Sequence, residues 1–175
     1  SLTVTGEAVE VAEWIAARVA EWSRDGRQPV IGFDSEWDGL SGGVVPTLIV
    51  QLATRGCCLV TNAVLSEALV RILMDGNVIK VGKNLREDLK HWCALHSPSE
   101  SLLEWSEASV TYSWVELMEL SPLHSPHVSM STLTEHYLGE IYPWKSTISH
   151  SCWGSWPLPQ EAQLYAAADA CAVID

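Results

Sequence analysis

The chain has 175 residues, 47% of them hydrophobic, and a formal net charge of −12 at neutral pH. That length suits one domain with a real core. No run of about 18 apolar residues offers a membrane span, no signal peptide opens the chain, and the charge excludes broad, charge-driven nucleic-acid binding while leaving room for a small local site. Cys57, Cys58, Cys93, Cys152 and Cys171 are odd in number and include no CxxC pair. They read as reduced thiols in an intracellular setting, nuclear or cytoplasmic, rather than a disulfide framework or zinc site. Ser1 is not a methionine, so the start reads as a cut or processed end; the chain stops at Asp175, inside its last helix, which reads as one domain of a longer chain with further domains, or as later residues missing.

In chain order, Leu2 to Val4 forms a short edge strand. A helix follows from about Glu7 to Ser23, with Ala8, Val11, Ile15, Val19 and Trp22 at three- and four-residue spacing as its buried face. Asp25-Gly26 stops it. Val30 to Trp37 reads as a buried strand, preceded by the breaker Pro29. A Gly- and Ser-rich loop spans Asp38 to Pro46. Thr47–Thr54 and Cys57–Thr61 are strands joined by a turn at Arg55-Gly56, so three strands run as an antiparallel meander. A helix over Leu65–Met74, a strand over Val78–Val81 and a helix from Asn84 to about Leu95 come next. Strand–helix–strand order makes the sheet mixed and covered by helices.

The middle is less periodic. Ser97 to Glu107 reads as irregular, Val110 to Ser113 as a last strand, Trp114 to Leu120 as a short helix and Ser121 to Ser129 as a loop. Ser131–Leu138 is a helix stopped by Gly139. Tyr142 to Pro159, with three tryptophans and three prolines, is an ordered loop packed by its aromatics. The last helix opens near Pro159 and runs to the end.

Three stretches carry chemistry. Asp34 and Glu36 end the strand Val30–Trp37, on one face, about 6.6 to 7 Å apart along it. Two acids on one face of an apolar strand either bind a cation or mark a strand end that has reached solvent. Tyr165 and Asp169 are four residues apart on one face of the last helix, among Ala166, Ala167, Ala168, Ala170 and Ala172. Alone, that pair is a satisfied core tyrosine as readily as a site. Asp88 sits in a run with Lys80, Lys83, Arg86 and Lys90, which reads either as a local anion site or as a solvated helix face. His124 and His127 lack a third ligand nearby and read as loop residues.

Taken in order, these stretches resemble the DEDDy branch of the DEDD 3′–5′ exonuclease superfamily, in particular ribonuclease D-like and Werner-type exonuclease domains. The matches are Phe33-Asp34-Ser35-Glu36-Trp37, Val81-Gly82 through Asp88-Leu89, and Gln163-Leu164-Tyr165-Ala166-Ala167-Ala168-Asp169-Ala170. Subsidiary ones are Ser131-Thr132-Leu133 with Tyr137-Leu138-Gly139, then Lys145, Trp153 and Pro157-Leu158. The histidine branch carries its histidine where this chain has Leu164.

The resemblance implies an α/β, ribonuclease H-like domain spanning 1–175: a mixed β-sheet flanked by α-helices. It implies a 3′–5′ exonuclease acting on DNA or RNA 3′ ends and releasing nucleoside 5′-monophosphates. Two Mg²⁺ or Mn²⁺ ions are expected on Asp34, Glu36, Asp88 and Asp169, whose hard oxygens suit those ions better than zinc. Tyr165, with a free pKa near 10, is expected to orient the attacking water rather than deprotonate it. Lys83, Arg86 and Lys145 are candidate phosphate contacts, and Trp37 and Leu40 candidate partners of the terminal base. Two rivals stand: a non-catalytic binding scaffold on the same fold, and an unrelated acidic domain whose carboxylates lie far apart.

Overall fold

A computed structural model describes residues 1–37, 47–95, 113–120, 128–139 and 153–174. The loop with Leu40, the irregular stretch 97–107, His124 and His127, and most of the aromatic-rich stretch with Lys145 lie outside the described residues. Among the described residues six strands form one sheet: β1 (Leu2–Thr5), β2 (Val30–Trp37), β3 (Thr47–Thr54), β4 (Cys57–Thr61), β5 (Ile79–Gly82) and β6 (Trp114–Glu116), in the order β1-β4-β3-β2-β5-β6. β2 pairs antiparallel with β3 and β3 with β4, the expected meander. The pairs β1–β4, β2–β5 and β5–β6 are parallel, so the sheet is mixed and β1 is an edge strand.

Among the described residues six helices accompany it: α1 (Ala8–Asp25), α2 (Glu67–Met74), α3 (Leu85–Cys93), α4 (Leu117–Leu120), α5 (Met130–Leu138) and α6 (Gln160–Ala172). α1 stops at Gly26, whose φ of 62° is left-handed and suits a residue without Cβ. Ser66 caps α2 and Ser129 caps α5 through their side-chain oxygens.

Alternation along the strands sorts the core into two layers. Ile31 and Phe33 of β2, Val50 and Leu52 of β3 and Leu59 of β4 join α1, α2 and α3 on one face. Ile49, Ala53, Cys58 and Val60 meet Ala162, Ala166 and Ala170 of α6 on the other. The alanines have a reason: a Cβ on Gly32 would lie 2.4 Å from the Ala170 carbonyl oxygen, so α6 lies hard against β2. No described helix is long and apolar enough to cross a membrane. Among the described residues, Cys57, Cys58 and Cys171 are not in disulfides.

Two expectations need correction. Trp114–Glu116 is a strand, not the start of a helix; the helix is only Leu117–Leu120. Trp114 pairs with Lys80 in a parallel ladder, and a three-residue strand is too short to show a period of two. The basic run is also no single surface patch. Lys80 is wholly buried, its Nζ donating to the Asp75 carbonyl (2.8 Å) and Ser113 Oγ (2.9 Å) beside the Trp114 ring. Burial lowers its pKa to about 8. Lys90 pairs with Glu87 at 2.5 Å on the exposed face of α3.

Candidate active site

β2 is inside the sheet, and its C-terminal half carries both acids of the first stretch. Gly32, Asp34 and Glu36 alternate onto the face covered by α6, which presents Tyr165 and Asp169 from the same turn and the next. Ligand oxygens of Asp34, Glu36 and Asp169 all lie within 4.8 Å of one another. Asp169 is 9% exposed. Residues more than 130 positions apart in sequence thus meet in one pocket.

The electrostatics follow from that crowding. The Asp34 carboxyl is held well above its ordinary pKa, first by burial, then by the negative charges of Asp88, Glu36 and Asp169. Two like charges 4 Å apart repel by about 4 kcal/mol at an effective dielectric near 20. The Tyr165 hydroxyl donates to Asp169, and burial together with that carboxylate pushes the phenol well above its usual value. The Trp153 ring, 3% exposed, packs beside Tyr165 at 6.1 Å between centroids.

Asp88 reaches the site from the other side. β5 pairs with β2 only as far as Gly32, so the β2 edge beyond it is open to α3. There Ser35 faces away from Asp34 and Glu36, and its Oγ donates to Asp88 Oδ1 at 2.8 Å. Asp88 is 2% exposed, and burial raises it to about 7 against the opposing pull of Ser35. α3 is itself fixed by Glu116 of β6, which accepts from the Asn84 and Leu85 backbone N–H groups at 2.9 and 3.0 Å.

The donor set fits divalent cations. Among the described residues only carboxylate oxygens converge, in a half-buried cleft where burial and then their mutual repulsion raise Asp34. Directly across the ladder from Asp34 lies Gln51, fully buried, whose amide nitrogen and oxygen have no hydrogen-bond partner among the described residues. A dry apolar wall would not place an amide there.

Of the remaining expected residues, Lys83 lines a cavity of about 130 Å³ with Phe33, Asp34, Met130, Asp169 and Val173. Trp37 stacks on His91 of α3, centroids 3.9 Å apart and planes 14° from parallel. Arg86 is exposed on α3. Leu40 and Lys145 lie outside the described residues. Sequence reasoning passed over Ser35, although alternation alone turns it toward the helix that bears Asp88. It also passed over Met130, Val173 and Gln51, for which no local signal exists.

A central mixed sheet, helices on both faces and acids gathered beside the middle strand define a ribonuclease H-like domain of the exonuclease kind. A family model described as 3′-5′ exonuclease matches residues 15–175, and the chain belongs to that family. A curated relative is the Homo sapiens exonuclease 3′-5′ domain-containing protein 2, 26% identical over 156 residues. That alignment covers 81% of this chain but only 23% of the relative. Among solved structures, Escherichia coli RNase D, an exoribonuclease involved in structured RNA processing, superposes with a TM-score of 0.69 at 15% identity, over 98% of this chain and 42% of that one. The Aedes aegypti Nibbler EXO domain gives 0.60 at 21% identity, over 97% of this chain and 82% of its own. At those identities the structural likeness speaks for the fold.

Proposed function

We propose that this chain is a divalent-metal-dependent 3′–5′ exonuclease that hydrolyses nucleic-acid phosphodiester bonds from the 3′ end and releases nucleoside 5′-monophosphates. The observation that carries the reading is the meeting of Asp34, Glu36 and Asp169 within 4.8 Å, with Tyr165 bonded to the last of them. A core helix has no need of such a cluster.

Asp34, Glu36, Asp88 and Asp169 would hold two Mg²⁺ or Mn²⁺ ions, which when bound supply the charge that acidifies a water and stabilises the leaving 3′ oxygen. Tyr165 keeps its proton, since its pKa is raised, and so orients the attacking water without acting as its base. Lys83, on the cavity wall beside Asp34 and Asp169, meets a phosphate of the 3′-terminal nucleotide. Arg86 and Lys145 are further phosphate contacts. Trp37, steadied by His91, and Leu40 receive the terminal base by stacking or wedging. A footprint of a few cations suits a protein with net charge −12, because only one chain end has to be gripped.

The test is degradation of matched 5′-labelled DNA and RNA oligonucleotides with Mg²⁺ or Mn²⁺, with the product identified. Shortening from the 3′ end, lost with chelator and by at least about 1000-fold in Asp34→Asn and Asp169→Asn, is expected. No degradation of either strand, together with no rise in Tm on adding Mn²⁺, would favour the non-catalytic scaffold instead.

A further inference from the structure

We propose that Ser35, the residue between the two strand carboxylates, is a positioning residue that fixes Asp88 for the second of the two cations. The inference rests on the two-cation reading above and goes beyond it by assigning a task to a residue that touches no ion. Two arrangements carry it. Asp34, Glu36 and Asp169 form a compact set on the α6 face of β2, and Asp88 is not in that set. Asp88 instead comes from α3, on the opposite face, and its carboxylate is held at the open edge of β2 by the Ser35 hydroxyl, which donates to Oδ1 at 2.8 Å.

The sequence position makes the device specific. The inward positions of β2 on that face are Ile31, Phe33 and Ser35, all buried. The first two are core residues, and a third apolar side chain would complete the layer. A hydroxyl there is costly unless bonded, and its partner is the one acid that the compact set lacks. Because Asp34 and Glu36 flank Ser35 in the chain, any movement of the strand that shifts them shifts the Asp88 anchor as well. The spacing between the compact set and the fourth carboxylate is therefore built into one three-residue stretch. Groups that orient metal ligands without touching the metal commonly change affinity by about 10- to 100-fold when lost.

Metal-stripped protein is titrated with Mn²⁺, free ion being followed by electron paramagnetic resonance. The wild type is expected to bind two ions in a tighter and a weaker step. Ser35→Ala weakens the weaker step by about 10-fold or more and leaves the tighter step in place. Ser35→Thr, which keeps the hydroxyl, restores it. In an Asp88→Asn background, Ser35→Ala adds no further loss, because the two residues act as one unit. An unchanged weaker step in Ser35→Ala, equal weakening of both steps, or additive losses with Asp88→Asn would each overturn the inference while leaving the metal centre standing. A wild type that binds no Mn²⁺ would overturn the metal centre itself, and this inference with it.

Discussion

Gly32 offers a direct way to move the site without touching any of its side chains. It lies on β2 two residues before Asp34, on the face that α6 covers. A Cβ there would sit 2.4 Å from the Ala170 carbonyl oxygen and 2.8 Å from Ile174 Cγ1. The Ile174 side chain can rotate away; the carbonyl belongs to the helix backbone and cannot. Ordinary contact begins near 3.4 Å, so in Gly32→Ala the helix must retreat by about 1 Å. Overpacking of this kind costs roughly 1–3 kcal/mol. The stiffer unfolded chain offsets about 0.4–1 kcal/mol of that. A net loss on the order of 1–2 kcal/mol lowers Tm by roughly 2–8 °C for a domain of this size. The effect on rate is larger, because Asp169 immediately precedes Ala170, and a 1 Å misplacement costs about 100-fold. Thermal melting and initial rates on a 5′-labelled oligonucleotide with Mn²⁺ measure both. The variant is expected to fold, melt a few degrees lower and turn over about 100-fold more slowly. Wild-type turnover in Gly32→Ala would refute the claim that the close seat of α6 on β2 sets the carboxylate geometry.

Tyr165→Phe should lower kcat by about 100-fold with little change in KM, and the wild-type pH–rate profile should show no tyrosine limb below pH 10; a strong KM effect with kcat intact would make Tyr165 a substrate contact instead. Lys80 is lowered from 10.5 to about 8, so between those pH values the unfolded chain holds more protons than the folded one and stability rises with pH. Lys80→Met removes that term, and urea unfolding at pH 8 and pH 10 should show the stability gap between wild type and variant change by about 2 kcal/mol. A gap that does not move with pH would mean that Lys80 titrates normally. Glu116→Ala strands two backbone N–H groups at the start of α3 and should cost about 1–2 kcal/mol; an unchanged Tm would show that α3 needs no such cap.

How much of this was legible beforehand depends on the range of the interaction. Asp34 and Glu36 share a face because strands alternate, and Tyr165 and Asp169 share one because helices turn every 3.6 residues; both follow from local spacing. The meander, the mixed sheet and the small-residue face of α6 were readable for the same reason. β6 was not, since three residues show no period and its strand conformation comes from pairing with β5. Lys80 looked like a surface cation because charge is visible in sequence and burial is not; its seat depends on Asp75, Ser113 and Trp114 meeting around it. The Ser35–Asp88 bond is the same kind of case, a contact across 53 positions that only the short β5 ladder makes room for.

The central claim is that acids from distant parts of the chain gather to hold cations. Anomalous diffraction from crystals soaked in Mn²⁺ tests it most directly. A peak bounded by the Asp34, Glu36 and Asp169 oxygens is the predicted result. An empty pocket in crystals that take up Mn²⁺ elsewhere would contradict it.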